Sequence, residues 1–358
     1  MATIEEQPVD TDKLMSFVFR AVDEVGATLN AALVVMGDRL GLYRALAGAG
    51  ALTPAELAER TGAAERYVRE WLNAQAAGGY VEYEADSGRY SLPPEQTVAL
   101  TDESSPAYLP GFFQLALGSV IDSPRITEAA RTGEGIGWHD HVHHVHEGCE
   151  RFFRPSYNAH LLTEWLPALD GVVEKLERGG SVADVGCGHG ASTILMGGAF
   201  PASRFTGFDY YEDSIATARE RAEKAGLEGR VTFQKAPAAS YSGNGYDLVT
   251  MFDCLHDMGD PAGAARHARQ SLAADGTWMI VEPRAGDRVE ENLNPVGRAY
   301  YGFSTLLCTP SSLSQEVGLA LGAQAGEARI REIVFGAGFS SFRRVAETPF
   351  NMVFEARP

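Results

Sequence analysis

Three groups of residues have types and spacings suited to chemistry. The run "WHDHVHHVHEGC" at 138–149 holds five of the chain's nine histidines. In a helix, His139, His143 and His146 share one face; in an extended segment, His139, His141 and His143 do. Either face offers ligand types for Zn²⁺ or Cu²⁺. In the second group, "ADVGCGHGAST", Asp184 precedes Gly186, Cys187, Gly188 and Gly190. Glycines where a strand turns into a helix let a ligand approach the backbone closely. A carboxylate just ahead of them disfavours a pyrophosphate and suits a cofactor with an ammonium group. In the third, "MFDCLHDMGDP", His256 follows an apolar run, and an imidazole is suited to accepting a proton near neutral pH.

Positioning these groups requires a sheet. From Ser181 onward, short apolar runs ("SVADVGC", "RFTGFDY", "VTFQKA", "YDLVTMFD", "TWMIVEP") alternate with helical segments. That pattern predicts an α/β fold: a parallel sheet with helices on both faces. The runs "FRRVAET" and "FNMVFEA" predict an antiparallel hairpin at its edge. Ligands of such sheets sit beyond the carboxyl ends of the strands. The glycine turn, Asp209 at the end of the second strand and His256 past the fourth then share one crevice. There Asp209 is placed to accept both hydroxyls of a ribose, with a helix N-cap as its alternative role.

The first hundred residues are built differently. Over 12–47 the apolar Leu14, Phe17, Val18, Ala21, Val22, Val25, Leu29 and Leu33 recur every three or four positions, which predicts an amphipathic helix or two. Thr53-Pro54-Ala55-Glu56 is a capping box with Pro at the first helical position. A turn at Thr61-Gly62, a second helix through Tyr67, Val68, Trp71 and Leu72, and short strands at 80–84 and 89–92 complete a winged helix. Its acids (Glu56, Glu59, Glu65, Glu70, Glu82, Glu84, Asp86) outnumber its bases (Arg60, Arg66, Arg69, Arg89). A DNA-reading helix needs phosphate anchors beside it, so packing or dimerisation is the favoured role.

Composition narrows the function classes. The net charge of −18 disfavours nucleic acid as a partner. Four scattered cysteines without CxxC spacing point to reduced thiols in the cytoplasm. The opening "MATIEEQPVDTDKL" has no apolar core and reads as no signal peptide, and stretches such as "AALVVMG" are too short for a bilayer.

Ser181 to the C-terminus resembles the class I S-adenosylmethionine (SAM) dependent methyltransferases, whose Rossmann-like seven-stranded sheet ends in an antiparallel hairpin. The resemblance implies SAM as cofactor. Asp184 and the loop Gly186, Cys187, Gly188 and Gly190 would hold its methionine end, and Asp209 with Tyr210 its ribose. The run Gln234-Lys235-Ala236-Pro237 lacks the acid that many members place near adenine, so Ala236 would contact it through backbone or apolar surface. Phe252, with Asp253 beside it, would pack on the adenine or the sulfur end. The "LHDMGDP" segment beside a winged helix resembles the small-molecule O-methyltransferases, whose "LHDW" histidine is the general base; here Met258 replaces the Trp. Nearly the full length resembles bacterial winged-helix methyltransferases through "GDRLGLYRAL", "ERYVREWL", "ERFFRPSY" and "ADVGCGHGAST".

The expectation is a methyltransferase acting on a small-molecule hydroxyl, with His256 as base, in three parts: a helical and winged-helix region at 1–100 that forms a homodimer, a helical linker and acceptor-side lid at 101–175, and a SAM domain at 176–358. Phe153 and Tyr157 of "ERFFRPSYNAHLLTEWL", and Tyr301 of the insertion "ENLNPVGRAYYGFSTLLCTPSS", are candidates for the acceptor pocket. No metal is required, so the histidine run reads as a polar wall over that pocket, with Trp138, His139 and His143 facing the acceptor. Two rivals stand beside this expectation: a SAM- or metabolite-sensing transcription regulator, and a SAM-fold enzyme catalysing a reaction other than methyl transfer.

Overall fold

Asp10 opens the first helix, Thr11–Arg39, its carboxylate accepting the N–H groups of Asp12 and Lys13. The computed structural model describes residues 9–358; the opening run 1–8, part of the stretch read as lacking a leader's apolar core, lies outside them. The chain packs as two units, one ending at Leu117 and the other beginning at Gly118.

In the first unit the long helix is buried only near its C-terminal end, at Val34 and Val35. Gly37 is needed there because a Cβ at this position would meet the Trp71 ring at 2.5 Å. The Trp71 indole N–H donates to the Leu33 carbonyl at 2.9 Å, and its ring meets Tyr43 edge-on at 4.9 Å. Around this pair Leu42, Leu57, Val68 and Leu72 form the core. The expected capping box at Thr53 and Glu56 is present at the start of the helix Pro54–Thr61. The second helix is Glu65–Ala77. The wing is shorter than expected: β1 (Glu82–Glu84) pairs antiparallel with β2 (Arg89–Ser91). Arg89 ties it to the first helix of the motif by two hydrogen bonds to Glu56, at 2.8 and 3.1 Å.

The second unit is a seven-stranded sheet of order β5-β4-β3-β6-β7-β9-β8. Its strands are β3 (Ser181–Val185), β4 (Arg204–Asp209), β5 (Val231–Lys235), β6 (Tyr246–Phe252), β7 (Leu272–Pro283), β8 (Ser341–Glu347) and β9 (Asn351–Arg357). The first five are parallel, and β9 enters antiparallel between β7 and β8. Alternate residues serve opposite cores: Leu248, Met279 and Val353 pack on one face, and Val249, Ile280 and Phe354 on the other. Both faces are covered, which explains the near-continuous apolar runs of the strands. The strand order reverses between β3 and β6, and the crevice opens at that switch point. Among the described residues no helix is long and apolar enough to cross a membrane.

Two segments read coarsely from sequence resolve into helices with π-type turns. The histidine run forms a 3₁₀ turn, Trp138–Asp140, and the start of the helix His143–His160, which continues into the π-turn Leu161–Trp165. The insertion after β7 becomes the helix Pro295–Phe303, the π-turn Ser304–Cys308 and the helix Thr309–Leu313. π-Turns often occur at functional sites because the extra residue re-aims the following side chains.

Replacing Thr53 with Ala removes the oxygen that accepts the Glu56 N–H. The expected loss is about 1 kcal/mol of stability, read from the chemical-denaturation midpoint.

Candidate functional site

Beyond the ends of β3, β4 and β6 lies a cavity of about 410 Å³, a size ordinary for a small-molecule site. Its floor is the glycine turn. Gly186 has φ +74°, and a Cβ there would meet the Cys254 sulfur at 2.6 Å. Gly190 has φ +79°, and a Cβ there would strike the Phe233 ring at 2.6 Å. Gly186, Cys187 and Gly188 line the cavity; Gly190 supports the turn, and its neighbours His189 and Ala191 reach the wall.

Asp184 does not reach this wall. It is fully buried, and its carboxylate accepts the hydroxyls of Ser192 (2.7 Å), Thr193 (2.6 Å) and Thr250 (2.9 Å). Burial raises its pKa against these hydrogen bonds. Through these bonds Asp184 anchors the start of the helix Ala191–Ala199 and the strand β6. Asp209 does line the cavity. Its two oxygens accept the backbone N–H groups of Gly188 (3.0 Å) and Tyr211 (2.9 Å). Each oxygen keeps a lone pair for a further donor.

Tyr210, Ala236, Phe252 and Asp253 also stand on the wall. Asp253 adopts φ +49°, a strained value for a residue with a side chain. It is held by Asn351 Nδ2 at 2.7 Å and by the Tyr157 hydroxyl at 3.3 Å. Burial, with Glu282 nearby, pushes its carboxyl well up.

His256 follows β6 in the turn Leu255–Asp257; it is 5% exposed and lies outside the cavity lining. Its Nδ1 is 2.7 Å from Glu282, whose other oxygen accepts the Leu255 N–H. Burial disfavours the imidazolium, but Glu282 and Cys308 together, through charge and hydrogen bonds, raise its pKa well above the usual value. Its neighbour Asp257 reaches the wall instead.

On the acceptor side, Trp138, Phe153 and Tyr157 line the cavity. Phe153 and Tyr157 stack with centroids 6.3 Å apart, and Tyr157 packs on Phe252 at 5.2 Å. Three expected contacts are absent from the lining. His139 packs against Tyr210 and Tyr211. His143 is exposed beside Glu147. Tyr301 takes a 3.5 Å hydrogen bond from Asn292. The helix begins only at His143, so the i, i+4, i+7 face never forms, and of the run's histidines only His146 reaches the wall. Burial lowers its pKa to about 4, leaving a neutral ring against Trp138 (5.2 Å). His141 is buried with Nδ1 on Asp122 at 2.7 Å. Among the described residues no three His, Cys, Asp or Glu side chains are placed to hold a metal ion.

Sequence patterns missed Cys149, Glu150, His189, Cys254, Asp257, Met258, Ser311 and Gln315, which all line the cavity. Glu150 lies in the histidine helix, three residues before Phe153, and takes two hydrogen bonds from Arg221 (2.6 and 2.9 Å) and one from His189 Nδ1 (2.9 Å). This cluster straps the helix to the glycine turn. Burial raises the Glu150 carboxyl, but the hydrogen bonds from His189 and Arg221 outweigh it and set its pKa at about 2. The depressed value means its stabilisation is fully present above the unfolded value of 4.5 and is lost as pH falls toward 2. Glu150→Gln is expected to cost roughly 2–3 kcal/mol at neutral pH. The gap from wild type should close between pH 4.5 and 2 in thermal melts.

Residues 28–102 match the Rv2258c-like winged HTH domain family, and residues 176–317 match a methyltransferase domain family. A 139-residue segment is 31% identical to 27-O-demethylrifamycin SV methyltransferase of Amycolatopsis mediterranei (strain S699); it covers 37% of this chain and 51% of that protein. The chain thus spans about half the length of this relative. The mitomycin 7-O-methyltransferase MmcR shares the fold with a TM-score of 0.68 at 19% identity, covering 98% of this chain and 100% of that one. Human N-acetylserotonin methyltransferase, solved in complex with SAM, gives 0.69 at 16% identity, covering 99% of each chain. At these identities the structural likeness concerns the fold.

Proposed function

We propose that this chain, a winged-helix domain followed by a methyltransferase domain, is a SAM-dependent methyltransferase that methylates a hydroxyl oxygen of a small molecule. One observation carries this most directly. The glycine turn and Asp209 open onto the same cavity as the aromatic wall of Trp138, Phe153 and Tyr157. Cofactor and acceptor therefore share one space, as an in-line displacement at a sulfonium requires.

Asp209 keeps lone pairs for the ribose hydroxyls, the glycine turn faces the methionine end, and Phe252 and Tyr210 supply apolar surface around the cofactor. SAM brings the activated methyl group. His256, first expected to be the base, is held behind the wall by Glu282. In this scheme it sets the charge of the turn and does not meet the acceptor.

The winged helix serves packing and not DNA reading. Arg66 and Arg69 of its second helix are each engaged by a glutamate one turn away, Glu70 and Glu65. The first helix presents Leu14, Phe17, Val18, Val22, Val25 and Leu29 exposed to solvent. From Val18 to Leu29 they are spaced 4, 3 and 4 residues apart, the spacing of a helix-pairing seam. A second copy of the chain supplies the same seam in a two-fold arrangement, so the protein is a homodimer. Four free thiols fit the reducing cytoplasm.

Calorimetry and turnover assays test the site. Asp209→Ala is expected to weaken SAM binding at least about tenfold, through lost hydrogen bonds to the ribose. Wild-type affinity in that variant would remove the cofactor assignment. Sedimentation tests the seam: wild type runs as a dimer, and Val22→Glu with Val25→Glu shifts it to monomer. A wild-type monomer would end the dimer proposal.

A further inference from the structure

We propose that Asp257 is the cavity group that takes the acceptor's proton as the methyl group is transferred, a role that rests on the methyl-transfer function above. Asp257 and His256 are consecutive residues of one 3₁₀ turn, yet they meet different surroundings. His256 is closed in behind the wall: Nδ1 lies on Glu282, and the Cys308 side chain hydrogen-bonds the same ring. Asp257 stands on the wall itself, with Asp209, Tyr210, Cys254 and Met258.

The insertion after β7 fixes this placement. Gln315 donates from Nε2 to the Asp257 carbonyl at 3.1 Å and accepts the Gly259 N–H at 3.0 Å. The Ser312 hydroxyl donates to the Met258 carbonyl at 2.7 Å. Three hydrogen bonds from one neighbouring segment thus orient the backbone from the Asp257 carbonyl to Gly259, the kind of support that a proton-transfer group needs.

The charges around Asp257 suit the step. Burial raises its carboxyl, His256 lowers it, and Glu282 and Asp209 raise it, with a net value of about 7. Tyr210, Cys149 and Cys254 are further titratable side chains in electrostatic reach. A sulfonium in the cavity favours the carboxylate form. In the reaction an oxygen lone pair of the acceptor attacks the methyl carbon. The carbon–sulfur bond breaks with its electron pair left on sulfur, and the hydroxyl proton passes to the Asp257 carboxylate. Sulfonium and carboxylate become a neutral thioether and a neutral acid together. That mutual loss of charge is favoured in a site with little water.

The test needs no acceptor. SAM and S-adenosylhomocysteine differ at sulfur by a methyl group and a positive charge, so calorimetry of each in buffers of different ionisation enthalpy counts the protons released on binding. At pH 7, SAM should release up to about half a proton more than S-adenosylhomocysteine, because a group titrating near 7 is half protonated there. At pH 9 the difference should vanish. Asp257→Asn should abolish the difference while SAM still binds. Equal proton release by the two ligands in wild type overturns the proposal, and that comparison stands even if the variant fails to fold. A difference that survives in a folded Asp257→Asn protein also overturns it. If SAM does not bind wild type at all, the methyl-transfer function itself falls, and this role falls with it.

Discussion

The crevice depends on a carboxylate buried beneath its wall. Asp184 sits at the carboxyl end of β3 with no exposed surface, and three hydroxyls bond it: Ser192 and Thr193 from the helix after the glycine turn, and Thr250 from β6. A carboxyl group in such a place costs several kcal/mol to bury unless it is hydrogen-bonded. Here both oxygens are, and the bonds cross the switch point of the sheet. They tie β3 to β6 and hold the helix Ala191–Ala199 against both. The glycine turn between these anchors can then remain open to a ligand, because its rigidity comes from beneath.

Above that anchor, the wall's carboxyls differ in their partners. Glu150 is matched by Arg221 and His189 and stays ionised. Asp209, Asp253 and Asp257 are all raised by burial. Several acids crowded into one apolar space are the environment that a cationic ligand relieves. The same crowding makes an anionic cofactor such as a dinucleotide a poor fit, although the glycine spacing alone satisfies that pattern loosely. Charge in the folded site separates the two where the motif does not.

The N-terminal unit divides its apolar residues by position along one helix. Near Gly37 they close onto Trp71 and Tyr43 with a close helix crossing. Nearer the start, the same periodic pattern stays on the outside. Hydrophobic periodicity reports that a face is apolar and leaves open what covers it.

Much of the fold was legible because its signals are local. Strand-length apolar runs, the capping box at Thr53 and Glu56, the glycine turn and the terminal hairpin each depend on neighbours in the chain. The types of the crevice residues, Asp209 and Phe252 among them, followed from the strand ends on which they sit. The direction in which side chains point at those ends is a tertiary matter. Asp184 turned inward because three hydroxyls from two other elements meet it there, and His256 yielded the wall to Asp257 because Glu282, twenty-six residues away, holds its ring. The histidine run was rich enough to suggest a metal, yet the turn at Trp138–Asp140 and the helix start at His143 broke its faces apart. Sequence alone determined the groups carried by the strand ends, the glycine turn, Asp209 and Phe252 among them. Only the packing of distant elements decided which of them face the crevice, because that choice is made by hydrogen bonds and burial between segments that no local pattern connects.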